Sequence, residues 1–201
     1  MRWLIVVLLG IVQTTALPPA YPRPGTTLMF ENTRVLVWNI AWLKQQYPLH
    51  KHLYDLVGVY YMPGDRIIVS TDGGRRPVST KAWETATQNQ GVTHIEEGAS
   101  DNPLRAVFIE MKEPAASGQL DTAATPAPFP TGGGTKVRDY ERAIVWELTT
   151  PPPSATHRHQ RDAVAVSFQG DTPRVAFIAK GTVHTEEMPG RSDRLYVFEL
   201  K

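Results

Sequence analysis

His50-Lys51-His52 and Gly91-Val92-Thr93-His94 in the first half, and His157-Arg158-His159 and Gly181-Thr182-Val183-His184 in the second, hold all six histidines of the chain. Each His-x-His is followed by an aspartate, Asp55 or Asp162. Each Gly-x-x-His is followed by two glutamates, Glu96 and Glu97 or Glu186 and Glu187. Scattered surface histidines would not sort three and three into matching contexts. Imidazole is the commonest metal-ligand side chain, so the pattern points to two three-histidine sets.

The repeat extends to the flanking blocks. Arg34-Val-Leu-Val-Trp38 matches Arg142-Ala-Ile-Val-Trp146, and Leu104 to Lys112 matches Asp193 to Lys201. The order in both halves is strand, His-x-His, strand, Gly-x-x-His, strand, which reads as an internal duplication of one β unit. Val35 to Trp38 is apolar at every position, as in a strand covered on both faces. Met62-Pro63-Gly64-Asp65 and Gly73-Gly74 are turn signals between short strands. No stretch holds a 3.6-residue period for more than a turn or two, so an all-β fold is expected.

On a strand, positions i and i+2 share a face. His50 and His52 therefore point together, as do His157 and His159. A third imidazole from a neighbouring strand, His94 or His184, completes a facial set with open positions on Fe(II), Mn(II), Ni(II), Cu(II) or Zn(II). The bland alternative is a pair of exposed histidines at a strand edge. By the same parity Asp55 and Asp162 point away from the imidazoles, toward an ion pair with a basic residue such as Arg34 or Arg142. Glu96 and Glu186 point inward, where a carboxylate is a fourth ligand or a general base; Glu96 is the one catalytic candidate. Glu97 and Glu187 face solvent. Trp38, Trp146, Tyr54, Tyr60 and Tyr61 are core or pocket aromatics.

Residues 1–16 read as a secretory signal peptide: Arg2, an apolar run from Leu4 to Val12, then Thr14-Thr15-Ala16. The run is too short for a membrane span. The expected destination is the periplasm or the exterior, with no membrane association after cleavage. The chain has no cysteine, so stability must come from the core or a metal. Without Arg2, 20 basic residues balance 20 acidic ones, which gives no hint of nucleic-acid binding.

Residues 17–26 form a Pro-rich extension, expected to be extended and mobile. Residues 27–113 form the first unit, 114–136 a Pro/Gly/Ala-rich linker, and 137–201 the second unit. His52 to His94 spans 42 positions and His159 to His184 only 25, a difference the size of one β-hairpin. The second unit therefore reads as shortened.

Short strands with His-x-His and a distant Gly-x-x-His resemble the cupin superfamily, and two copies in one chain resemble a bicupin. The resemblance covers about residues 26–112 and 138–201, with 91–98 and 178–187 the most cupin-like blocks. It implies two small jelly-roll barrels, each with a metal inside. Three positions depart from the family pattern. The usual glutamate four after the second histidine is Leu56 or Ala163. The usual proline before Gly-x-x-His is Asn89 or Ala179. The usual asparagine after the last histidine is Gly98 or Met188.

Three functions follow as expectations. The first is an exported protein that binds a divalent metal through a three-histidine cluster, together with a small-molecule ligand. The second is a metal-dependent dioxygenase or related cupin enzyme acting on a small organic substrate. The third is a metal-free structural or ligand-binding β-barrel. The first unit is the expected active one, since the shortened second unit should leave its histidines open to water or packed on the first lobe.

Overall fold

The computed structural model describes residues 16–113, 125–130, 134–148, 156–185 and 194–201. Residues 1–15 of the expected leader, and Glu186, Glu187 and Met188, lie outside them. Among the described residues there are sixteen strands and no helix, hence none long and apolar enough to cross a membrane.

The first unit contains β1 (Thr26–Glu31), β2 (Val35–Ala41), β3 (His50–Lys51), β4 (Asp55–Met62), β5 (Gly64–Val69), β6 (Arg75–Thr80), β7 (Thr85–Gln88), β8 (Thr93–Gly98) and β9 (Arg105–Met111). The second contains β10 (Gly134–Asp139), β11 (Ala143–Leu148), β12 (His157–Arg158), β13 (Ala163–Gln169), β14 (Thr172–Ile178), β15 (Val183–His184) and β16 (Arg194–Leu200). The first unit has one sheet ordered β1-β2-β9-β4-β7 and another ordered β3-β8-β5-β6. The second has β10-β11-β16-β13-β14 and the pair β12-β15.

The five-stranded sheets match strand for strand. Val35 pairs with Met111 and Ala143 with Leu200, and both opening hairpins carry an irregularity at the same place. β14 takes the place of β7: Leu56 faces Gln88, and Ala163 faces Ile178. It follows β13 directly, so the hairpin β5–β6 has no counterpart among the described residues of the second unit. That hairpin runs from Gly64 to Thr80, 17 residues, which accounts for the whole spacing difference between the two histidine sets.

Strand parity explains why β2 and β9 carry apolar residues on both faces. Leu36, Trp38 and Ile40 fill their own barrel with Phe108 and Leu56. Val35 and Val37 turn outward and meet Val145, Val164 and Phe198 of the other unit. The two large sheets thus share one core, and their central strands β2, β4, β9, β13 and β16 are covered on both faces. Phe168 lies in that shared core, with Tyr61 and Trp83 of the first unit 5.3 and 5.2 Å away, ring to ring. Phe168→Ala is expected to cost about 3–5 kcal/mol. Urea denaturation followed by two probes, one per unit, should show a single transition shifted as a whole. A shift confined to the second unit would contradict the shared core.

Charged residues close the rim of this interface reciprocally. Asp55 takes Arg142 at 2.6 Å, and Asp162 takes Arg34 at 2.9 Å. The aspartates face outward, as expected. Their partners come from the opposite unit, a long-range choice that local sequence does not specify.

Two expectations about the proline-rich segments are corrected. Residues 17–26 are not a loose lead-in: Pro18 O accepts from Lys51 N at 2.9 Å, and Pro19 bridges Lys51 in parallel. The described part of the linker does the same in the second unit. Ala127 O accepts from Arg158 N at 3.1 Å, Pro128 bridges Arg158, and Phe129 is buried. Strand β10 begins at Gly134, inside the stretch expected to be linker. Proline lacks an N–H but keeps its carbonyl, so such a segment can still accept bonds along a strand edge.

Candidate functional site

The first histidine set converges inside the first barrel. His50 on β3 faces His94 on β8 in register, and His52 lies one residue past the end of β3. His52 is held by two backbone bonds to the Gly-x-x-His turn: His52 N to Val92 O at 2.9 Å and Gly91 N to His52 O at 2.8 Å. His159 makes the same pair with Thr182 and Gly181, at 3.0 and 2.8 Å. Gly91 and Gly181 both have φ +87°, and a Cβ would meet nothing within 4 Å. The left-handed turn, not lack of space, is therefore what requires glycine.

All three imidazoles of the first set are buried, and their candidate ligand atoms lie within 4.8 Å of one another. His52 Nε2 and His94 Nε2 are 3.4 Å apart. Burial, reinforced by Arg23, lowers His50 to about 4. Burial and the neighbouring histidines lower His52 to about 3, and burial also lowers His94. Near neutral pH the three rings are uncharged and offer lone pairs. Nitrogens bound to one first-row metal at about 2.0–2.1 Å sit roughly 3–3.4 Å apart, a spacing that the His52–His94 pair meets.

Glu96 is two residues past His94 on β8, buried and inward-facing. Its Oε2 accepts from Arg23 Nη2, and its Oε1 lies 3.5 Å from Arg66 Nη1. Burial alone would raise this carboxyl, but the two guanidiniums outweigh it and hold the group well below the usual carboxylate range. Arg23 also reaches His50, with Nη1 3.3 Å from Nε2. Arg66, from β5, packs between Trp42 and Tyr60 at 5.0 and 5.1 Å. His52, His94, Glu96, both arginines, Gln88 and Tyr60 line a cavity of about 60 Å³.

The second set is tighter. His159 Nε2 lies 3.2 Å from His157 Nε2 and 3.0 Å from His184 Nε2, separations that suit a shared metal. His157 and His159 are fully buried, and Phe129 stacks on His159 at 4.8 Å. The expectation that these histidines open to water or pack on the first lobe is corrected for His157 and His159, which Phe129 of the linker covers, whereas His184 is half-buried beside an opening. Glu186, expected to face inward here, lies outside the described residues.

Of the other candidates, Tyr60 lines the first cavity, whereas Tyr61 faces the shared core and donates to Asn39 Oδ1 at 2.9 Å. Glu97 points outward to Arg75 at 2.7 Å. Trp38 is cavity wall and core at once. Gly98 stands where asparagine is usual because a Cβ there would lie 2.1 Å from the Leu43 carbonyl oxygen.

Sequence reasoning missed Arg23, Arg66 and a pair of buried glutamates. Glu110 on β9 and Glu199 on β16 occupy matching positions, facing Leu36 and Ile144. Each interrupts an otherwise apolar inward row, which is a readable signal. Trp146 Nε1 donates to Glu199 at 2.8 Å. Burial pushes Glu110 up to about 7, against the opposing influence of Trp38 and Lys112, and burial raises Glu199 too. A carboxyl with a raised folded pKa stabilises fully below its unfolded value and loses that contribution as pH rises through the folded one. For Glu110 the window runs from about 4.5 to about 7. The shift corresponds to about 3 kcal/mol. Denaturation between pH 5 and 8 should show stability falling with pH, and a flatter slope in Glu110→Gln. Equal slopes would contradict the assignment.

No protein-family model and no curated protein matches the sequence. Solved structures do. AerE from Microcystis aeruginosa aligns over 92% of this chain and 96% of its own, with a TM-score of 0.62 and 11% identity. A mutant of Bacillus subtilis oxalate decarboxylase aligns over 84% of this chain and 69% of its own, with a TM-score of 0.52 and 11% identity. That decarboxylase has Mn(II) centres. A cupin 2 conserved barrel domain protein from Leptotrichia buccalis aligns over 88% of both chains, with a TM-score of 0.50 and 9% identity. The likeness shows the fold: an all-β chain of two cupin-like jelly-roll units, the second shortened.

Proposed function

We propose that this chain binds a divalent transition metal in each unit, through His50, His52 and His94 in the first and His157, His159 and His184 in the second. In the first unit a small-molecule ligand sits beside the ion. The observation that carries the reading is the convergence of two three-imidazole sets from matching strand positions, with five of the six rings buried and His184 half-buried. A bound ion would supply Lewis acidity and open coordination positions for ligand oxygens. Its identity among Fe, Mn, Ni, Cu and Zn is left to measurement.

The first unit has the better claim to ligand chemistry, because the cavity, Glu96 and the arginines all belong to it. Glu96 is a poor general base. A carboxylate held so far below its ordinary pKa by two guanidiniums takes up a proton reluctantly, so its role is to fix Arg23 and Arg66. Binding without turnover is therefore the primary reading. Metal-dependent turnover of a small organic substrate is the second, favoured by the open cavity next to His52 and His94. Elemental analysis of protein purified without a histidine tag and equilibrated with each metal tests the reading. Two equivalents per chain are expected; no retained metal with any ion would reject it. We also propose that residues 1–16 direct export to the periplasm or exterior. N-terminal sequencing of the protein from the producing cell should then begin near Leu17.

A further inference from the structure

The first cavity carries more positive charge than Glu96 answers. Arg23 and Arg66 have side chains only 6% and 12% exposed, and one carboxylate lies between them. Arg66 Nη1 is 3.5 Å from that carboxylate, beyond a good N–H···O bond. The Nε atoms of Arg23 and Arg66 are both buried with no hydrogen-bond partner. Buried donors in a cavity call for an acceptor.

The mouth repeats the sign. An opening beside His94 is lined by Ser70, Arg75, Arg76 and Thr93. Arg75 is matched by Glu97, whereas exposed Arg76 has no acidic partner among the described residues. Arg66, Arg75 and Arg76 all belong to the β5–β6 hairpin. Among the described residues the second unit lacks that hairpin, and those lining the opening beside His184, namely Ala165, Ala176, Phe177, Ile178, Thr182 and Thr185, include no lysine or arginine. The insertion that completes the first barrel is thus also the one that makes it cationic.

We propose that the first cavity takes a small organic carboxylate, with Arg66 meeting its charge and Arg76 guiding it in. The inference rests on the metal reading for what lies beside the anion, but Arg66 contributes its charge whether or not a metal is bound. A cavity of about 60 Å³ restricts the ligand to a small molecule. Arg66 is well suited because Trp42 and Tyr60 fix its plane, so little freedom is lost when it binds.

The test is calorimetric titration of the whole protein at constant ionic strength with malonate, its neutral isostere malonamide, and inorganic phosphate. Malonate should bind, and malonamide and phosphate should not. Arg66→Gln should weaken malonate at least tenfold, and Arg66→Lys should restore part of the loss. Arg76→Gln, at an exposed position that does not threaten folding, should weaken it about three- to tenfold at low salt and little at high salt. Malonamide or phosphate binding as well as malonate would overturn the inference, as would malonate affinity unchanged in both the Arg66→Gln and Arg76→Gln variants. Metal is assayed on the same samples. Metal retained without malonate binding sinks the anion inference alone, and malonate binding without metal sinks the metal reading alone.

Discussion

His52→Ala should lower bound metal from two equivalents per chain to one. The Nε2 of His52 lies 3.4 Å from that of His94, and its backbone is tied to the Gly91 turn, so its loss removes one of three converging donors. Two remaining imidazoles hold a divalent ion far more weakly than three. The second set is untouched and serves as an internal control for folding, since metal binds there only in the native barrel. At a free metal concentration of about 100 times Kd, one site contributes about 2.7 kcal/mol to stability. The variant should therefore lose a metal-dependent increment of that size, and should match the wild type more closely in chelator. Two equivalents retained in His52→Ala would reject the first site.

Glu96→Gln is expected to cost about 3–5 kcal/mol, among the larger single effects available in this chain. Removing one member of a buried charge cluster leaves the others uncompensated, and here two guanidiniums share one carboxylate. The amide keeps the shape and one acceptor but loses the charge. Arg23 reaches the cavity from the Pro-rich segment 17–26, so that segment should also loosen. Limited proteolysis within residues 17–26 should accelerate in the variant. A loss under 1 kcal/mol in urea denaturation, with unchanged proteolysis, would show that the cluster does not hold the segment in place.

Much of this was legible from side-chain spacing. The paired histidines announced both clusters, because the two sets keep the same residue types in the same order while the stretches between them differ in length. The unbroken apolar run at Val35 to Trp38 announced a doubly covered strand. The 17-position deficit announced the missing hairpin. What could not be read was set by non-local docking. Arg23 sits among prolines, where no period assigns a facing, and bonds from Lys51 to Pro18 and from Ala41 to Gly25 hold its segment where it reaches Glu96. The same holds for Phe129, which reaches His159 from the linker. β1 was also missed: its Thr-Thr-Leu-Met-Phe-Glu is half exposed, and its strand character comes from pairing with β2. Parity was applied from His52 through Asp55 as if one strand ran on. The chain instead leaves β3 at Leu53 and Tyr54 and enters a different sheet at β4, and Asp55 faces outward for that reason.

Anomalous diffraction from crystals of metal-loaded protein locates any ion held by the two three-histidine sets. Two peaks per chain are expected, one within about 2.0–2.2 Å of imidazole nitrogens of His50, His52 and His94, the other equally close to those of His157, His159 and His184. A peak at neither set, or metal bound only elsewhere on the chain, would contradict it.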